Sequence, residues 1–187
     1  MIHDQISDRA WTELAYSEDT LTWQRIDAGN ALIGCSDTEL DYDYGCVYAC
    51  AGPVFLDEEV RLYYGGSDWL HFGWRNGCLA LATLRADGFA GYSQVKQEQP
   101  GVLRTSLLDY GGEEIQLTAD VMPQGSIVVK LLDHKDQVIA ENSVNGSTTD
   151  GVVLPASSLA ITPEMSRVRL EFTVVSAQLF SFVLVGQ

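Results

Sequence analysis

Short apolar segments that alternate with polar residues recur along this sequence, and glycine, aspartate and asparagine separate them. This alternation is typical of β-strands, because successive side chains of an extended chain point to opposite faces of a sheet. No segment combines a sustained 3.6-residue period with helix-capping residues, and the best helix candidate, residues 7–17, also fits a strand. The sequence therefore predicts an all-β fold.

The first half of the sequence predicts strands joined by tight turns. Two strand segments, TELAYS and LTWQRI, flank the turn EDT. Four further strand segments follow at residues 46–56, 60–66, 78–85 and 89–94. The dipeptide Asp87-Gly88 predicts the tight turn before the last of them. The four segments from Cys46 to Gln94 predict an up-and-down meander of the kind that forms one propeller blade.

The second half predicts a β-sandwich or jelly-roll-like domain. The composition becomes polar around VKQEQPGV, so we expect regions 1–96 and 97–187 to be separate. EIQLTADV and RVRLEFTVV alternate cleanly, SIVVKLLD and QVIAENS form a hairpin around DHKD, and GVVLPASSL and LFSFVLV add further strands. About six or seven short strands in about ninety residues are typical of an antiparallel sandwich.

The net charge of −15 limits the classes of partner. A nucleic acid or an anionic membrane surface would be repelled, so we expect neither as a partner. We see no signal-peptide pattern, and no window approaches the roughly 18 apolar residues of a membrane helix. Neutral sugars, cations and basic proteins remain open as partners.

The cysteine pattern argues against a metal site. Cys35, Cys46, Cys50 and Cys78 form no CxxC pair, and the chain has only three histidines. We therefore expect no structural zinc site and no cofactor, and we interpret the cysteines as small buried thiols. A disulfide would require an oxidising compartment.

Three segments carry a resemblance to a known group of proteins: ELAYSEDTLTWQRI, VYACAGPVFLDEEVRLYYGGSDWLH and NGCLALATLRADGF. With them, residues 13–95 resemble the end of a five-bladed β-propeller of the glycoside hydrolase type, the clan of β-fructosidases and arabinanase-like enzymes. Residues 101–187 resemble the sandwich that follows such propellers in many bacterial proteins. The resemblance implies a partial propeller of about one and a half blades.

The sequence departs from the family in two respects. Thr20 stands where the blade pattern has glycine. The three catalytic carboxylates of the family lie on its first three blades, and no residue of this chain matches them. The resemblance therefore implies a non-catalytic, carbohydrate-associated module. The alternatives are a glycosidase completed by another chain and a purely structural or assembly domain.

A single blade also has exposed flanks, whereas a complete propeller leaves only short, protected edges. We therefore expect a homo-oligomer formed through the blade region, or contact with the missing blades.

The first candidate site is an acidic row. Asp37, Glu39, Asp41 and Asp43 occupy every second position, so in an extended chain they would project from one face. The resemblance implies that Asp41 and Asp43, together with Tyr44 and Tyr48, face a sugar-binding pocket. The alternative is a solvated acidic loop.

The second candidate site is the loop of residues 65–77. It contains a carboxylate, an imidazole, a guanidinium and two indoles, which together suit a saccharide: Asp68, Trp69, His71, Trp74 and Arg75. The resemblance implies that His71 approaches the central channel, and we hypothesise that His71 and Asp43 share one concave site. A structural histidine and tryptophans that pack against a neighbouring blade are the alternatives.

Overall fold

The computed structural model describes residues 1–156 and 165–186, and it is all-β as predicted. The chain divides into two compact units, Met1–Phe89 and Ala90–Gln187. The sequence placed this boundary a little later, after residue 96. None of the sheets formed by the described residues is closed. Within the same residues, no helix has the length and apolar character that crossing a membrane requires.

The first unit contains eight strands: β1 (Ile2–Asp4), β2 (Arg9–Trp11), β3 (Ala15–Tyr16), β4 (Gln24–Arg25), β5 (Cys46–Ala49), β6 (Val54–Phe55), β7 (Glu59–Ser67) and β8 (Gly77–Arg85). Strands β3 and β4 form the predicted hairpin, although each is only two residues long. The other six strands form one sheet, which is antiparallel except between β2 and β5.

Strand β7 organises this sheet. Its whole length, Glu59–Ser67, pairs with β8, so β5 and β6 share its other edge. The predicted meander is therefore present for three of its four segments. Its fourth segment was assigned to the wrong sheet: Tyr92 and Ser93 form β9, which pairs with β15 of the second unit. A strand of two residues can form only a few backbone hydrogen bonds, and β9 forms them with the long strand β15.

The core of the first unit is small and lies on one face of β5 and β7. Val60, Leu62 and Tyr64 alternate along β7 and pack with Val47 and Ile33. The opposite face of β7 and β8 is not covered within the unit. Its side chains include three large apolar ones with exposed fractions of 37%, 73% and 46%: Tyr63, Leu79 and Leu81.

The described residues of the second unit form seven strands: β9 (Tyr92–Ser93), β10 (Gly101–Arg104), β11 (Leu108–Asp109), β12 (Glu114–Leu132), β13 (Val138–Val144), β14 (Thr148–Leu154) and β15 (Arg167–Val185). Strand β12 pairs with β13, β14 and β15, and β15 also pairs with β9, β10 and β11. The predicted hairpin is confirmed, since Leu132 lies opposite Val138. Residues 157–159 of the strand predicted from GVVLPASSL lie outside the described residues.

Alternation predicted the buried face of this unit correctly. Every second residue from Val168 to Val174 is buried on β15, and Ile115, Leu117 and Ala119 are buried on β12. These side chains belong to one core, in which the rings of Phe172 and Phe182 lie 5.4 Å apart. The second unit therefore has the larger of the two cores, and its arrangement as a two-layer sandwich remains a prediction.

Two strands of the second unit, β12 and β15, are much longer than the sequence predicts, at 19 residues each. EIQLTADV and SIVVKLLD lie on one continuous strand, β12, with a register shift between Val121 and Ser126. At this shift Gln124 and Ser176 both take the left-handed conformation, with φ of 67° and 44°. A β-bulge of this kind bends a strand without ending it.

Candidate functional site

A cluster of two histidines and one aspartate lies at one end of the first unit. His3 belongs to β1, Asp8 to the turn between β1 and β2, and His71 to the loop between β7 and β8. The Nε2 atom of His3 lies 3.0 Å from Oδ1 of Asp8, and the His3 and His71 rings are 4.5 Å apart. One possible ligand atom from each side chain lies within 4.8 Å of the other two.

The backbone holds this cluster together. The backbone N–H of His71 donates to the carbonyl oxygen of Asp8, and that of Phe72 donates to Oδ2 of Asp8, both at 2.8 Å. Asp8 itself has a φ of 53°, which turns the chain sharply between β1 and β2. The long loop after β7 is thereby attached to the short turn that carries Asp8.

The loop of residues 68–76 is also closed at its base. Both carboxylate oxygens of Asp68 accept hydrogen bonds from Asn76, one from its backbone N–H at 2.8 Å and one from its side-chain amide at 2.7 Å. The Arg75 guanidinium donates to the carbonyl oxygens of Leu70 and His71. Asp68 and Arg75 therefore support the loop, and their charged groups are largely engaged within it.

The carboxyl group of Asp8 is held in its charged form. The hydrogen bond from the Phe72 backbone N–H lowers its pKa, and the neighbouring His3 and His71 contribute in the same direction. Asp68 shows the same effect, because its hydrogen bonds with Asn76 lower its pKa. A negative charge thus lies next to two imidazole rings. Nδ1 of His71, in one of these rings, is buried and lacks a hydrogen-bond partner within residues 1–156 and 165–186.

The aromatic residues of the loop fall into two groups. The Trp69 ring lies 6.2 Å from the Tyr44 ring, and the Arg9 guanidinium lies 4.8 Å from the centre of the Tyr44 ring. Trp69 and Tyr44 therefore pack against other side chains of the first unit. Phe72 and Trp74 are 73% and 89% exposed. The outer part of the loop therefore presents two large apolar rings to solvent.

The acidic row does not have the geometry that the sequence suggested. Residues 37–45 form turns and bends, and β5 begins only at Cys46, so the prediction of four carboxylates on one extended face is wrong. Leu40, with a φ of 69°, interrupts any extended path through the row. Asp37 and Glu39 are exposed, and the exposed Asp41 accepts a hydrogen bond from Ser36 at 2.5 Å.

Asp43 is the exception in the row because it is buried. The Tyr64 hydroxyl donates to its Oδ2 atom at 2.9 Å, and burial raises the pKa of Tyr64. Asp43 therefore has little surface left for a ligand. The Asp43 side chain contacts Tyr64, whereas the His71 ring contacts His3 and Phe72. A concave site shared by Asp43 and His71 therefore remains a prediction.

Tyr48 lies on β5 and is half-buried. Burial raises its pKa to about 12, with a further contribution from its hydrogen bond with Cys46, and the charges of Arg75 and Asp8 also act on it. Its hydroxyl is therefore a neutral hydrogen-bonding group at physiological pH.

The four cysteines are free thiols, and Cys50 and Cys78 are exposed, contrary to the expectation that all are buried.

Comparison with known family models, curated proteins and solved structures found no match to this chain. The case for a function therefore depends on the site and on the sequence motifs.

The second unit offers a separate concavity. An open cleft of about 670 Å³ forms beside the bulge of β12 and the left-handed Ser176, and Met122 and Gln178 line it. Gln94 also lines it but is occupied by the Ser176 backbone N–H, which donates to its Oε1 atom at 2.6 Å. The carboxylate of Asp120 also lines the cleft, which therefore combines amide groups, one acidic group and apolar surface.

Sequence reasoning found one member of the His–Asp cluster and missed two. It selected His71 together with the loop residues around it, but His3 and Asp8 were not selected. No motif spacing links them, because they meet His71 only when the loop after β7 docks on the β1–β2 turn.

Proposed function

We propose that this chain is a non-catalytic, carbohydrate-binding β module, and that the sugar contacts the loop of residues 68–76. The observation that carries this proposal is the exposure of two aromatic rings, Phe72 and Trp74, beside the polar His–Asp cluster. An exposed ring provides a flat apolar surface for a sugar ring, while imidazole and carboxylate groups exchange hydrogen bonds with its hydroxyls.

Two further features support a carbohydrate as the ligand. The strong negative charge disfavours anionic ligands and leaves neutral sugars available. The sequence also resembles glycoside hydrolase propellers, and Thr20, which stands at the glycine of the blade pattern, has a φ of 62°. Glycine adopts that conformation readily, so the backbone at Thr20 supports the proposed resemblance.

Binding to an array of neutral oligosaccharides, including fructans and arabino-oligosaccharides, tests this proposal. We expect Trp74→Ala to weaken binding at least tenfold, since central aromatic residues dominate such contacts. Trp23→Ala is the matched control, because Trp23 is also exposed, at 62%, but lies in the β3–β4 turn. It should leave binding unchanged.

Two outcomes would contradict the proposal. If no neutral oligosaccharide binds, the carbohydrate function is wrong. If a sugar binds and Trp74→Ala has no effect while Gln178→Ala abolishes binding, the site is the cleft of the second unit and the loop assignment is wrong.

A structural or assembly domain is the second candidate. The uncovered face of β7 and β8 favours it, because Tyr63 and Leu81 lie directly opposite each other and Leu79 lies on the same side of β8. A contiguous exposed apolar surface of this kind is typical of an interaction site. In this function the face would be covered by a second copy of the chain.

A further inference from the structure

The His–Asp cluster of the first unit joins two of the three histidines of the chain with one carboxylate. His3 and Asp8 lie near the start of the unit and His71 near its end, so the cluster arises only from the tertiary fold. Imidazole nitrogens and carboxylate oxygens are the ligands that zinc most often takes in proteins besides cysteine. The composition of the cluster is therefore that of a metal site.

The distances within the cluster suit a small divalent ion. Zinc–ligand bonds of about 2.0–2.2 Å place neighbouring ligand atoms of a tetrahedral site roughly 3.3–3.5 Å apart. Here Nε2 of His3 and Oδ1 of Asp8 are 3.0 Å apart, and no pair in the set of three is separated by more than 4.8 Å. Small side-chain rotations would bring all three atoms into one coordination sphere.

The support around the cluster resembles that of a preorganised site. Oδ2 of Asp8 is fixed by the Phe72 backbone N–H, which leaves Oδ1 directed toward His3. The carbonyl oxygen of Asp8 holds the backbone of His71. Hydrogen bonds of this second layer orient the ligands of natural metal sites and fix their direction.

An unsatisfied atom provides independent evidence. Nδ1 of His71 is buried and has no hydrogen-bond partner among the residues that the structure describes. A buried polar atom without a protein partner is rare in a folded protein, and a bound water or ion is one of its ordinary explanations. The alternative, a purely structural His3–Asp8 hydrogen bond, explains the 3.0 Å contact but not the buried nitrogen of His71.

We propose that His3, Asp8 and His71 bind one divalent transition-metal ion, with zinc as the preferred ion. The ligand set excludes calcium and magnesium as preferred ions, because both favour all-oxygen coordination. Three protein ligands leave a fourth position open. The side chains of His3 and Asp8 are 27% and 22% exposed, so water or an external ligand can reach that position.

The full chain, freed of any polyhistidine tag and treated with a chelator, is titrated with Zn²⁺ by calorimetry and with Co²⁺ by visible absorption. We expect one Zn²⁺ per chain and a Co²⁺ spectrum of low coordination number. His71→Ala should weaken Zn²⁺ binding by more than about 100-fold, since loss of a second-layer group alone costs 10–100-fold. His134→Ala, which changes the one histidine outside the cluster, should bind as the unchanged protein does.

A second variant guards against loss of the fold. His3→Gln keeps a side chain that can donate a hydrogen bond to Asp8 but removes the imidazole ligand. It should retain the unfolding midpoint of the metal-free protein and lose the increase in that midpoint produced by Zn²⁺.

Absence of saturable Zn²⁺ binding would overturn the proposal, as would equal affinity for Ca²⁺. Retention of Zn²⁺ binding in both His71→Ala and His3→Gln would also overturn it. Because the readout is metal binding alone, the result does not depend on whether the loop also binds a sugar.

Discussion

Gly45 occupies the tightest position of the first unit, and we predict that Gly45→Ala destabilises that unit severely. A Cβ atom at this position would lie 1.7 Å from the carbonyl oxygen and 2.1 Å from the carbonyl carbon of Trp69. Both obstacles are backbone atoms, so a change of rotamer cannot relieve the clash. The loop that leads to His71 would have to move by at least about 1.3 Å to restore a separation of 3.0 Å.

The backbone of Gly45 is fixed on both sides, which makes this movement costly. Its N–H donates to Ser67 at 2.9 Å, and its carbonyl accepts from Ala10 at 3.0 Å. Overpacking typically costs about 1–3 kcal/mol, and each strained or broken backbone hydrogen bond adds about 0.5–1.5 kcal/mol. We therefore expect a loss of at least roughly 3 kcal/mol, a large part of the 5–15 kcal/mol typical of a folded domain.

The sequence provides a selective assay for this loss. All four tryptophans, Trp11, Trp23, Trp69 and Trp74, lie in the first unit, so intrinsic tryptophan fluorescence in a urea titration follows that unit alone. Gly52→Ala is the matched control, because a Cβ atom there has no neighbour within 4 Å. It should change the unfolding free energy by less than about 0.5 kcal/mol. A loss below about 1 kcal/mol for Gly45→Ala would refute the close approach of Trp69.

Two further predictions concern other parts of the chain. Hydrogen bonds from Arg104 and then Lys130 lower the pKa of Glu171, so this carboxylate stabilises the second unit above its ordinary pKa of 4.5 and loses the effect as the pH falls. Glu171→Gln should therefore flatten the decline of the melting temperature below pH 4.5; an unchanged decline would exclude this contribution. If a second copy covers Tyr63 and Leu81, light scattering should give at least twice the 20.5 kDa chain mass, and Leu81→Lys should restore one chain. A single-chain mass for the unchanged protein would reject the assembly function.

The buried faces of the long strands could be predicted from the sequence because one physical rule determines them. Along β15, Val168, Leu170 and Phe172 alternate with polar residues, and a strand with one buried face can satisfy that pattern in only one register. The β12–β13 hairpin was predictable for a related reason, since two such strands flank a short polar turn.

The continuity of β12 and β15 could not be predicted. The turn-like segment around Met122 to Gly125 indicates the end of a strand, but the backbone passes through it as a bulge. Gln124 and Ser176 take the left-handed conformation there without being glycine, so these two residue types do not mark the bulge in advance. The burial of Asp43 could not be predicted either, because its partner Tyr64 lies on β7, 21 residues later in the chain.

In the candidate site, the local sequence identifies the loop that carries His71, whereas long-range hydrogen bonds determine which residues lie next to it. His71 was selected for its loop, whose glycines and aromatic residues are visible in the sequence. Its partners depend on two hydrogen bonds that the backbone N–H groups of His71 and Phe72 donate to Asp8, and this donor is present in every residue except proline. The sequence alone therefore cannot show which turn receives the loop.

Asp8 connects the two proposals for this unit while leaving them separable. Its carbonyl oxygen and Oδ2 atom position the backbone of His71 and Phe72, and hence the exposed rings that follow. Its Oδ1 atom faces His3 and is the oxygen available to a metal ion. The aromatic surface thus depends on the anchoring of the loop backbone, whereas the metal site depends on three side chains. A change at His3 removes a metal ligand and leaves the exposed rings of Phe72 and Trp74 in place, so Zn²⁺ binding and the contribution of Trp74 to sugar binding can be measured separately.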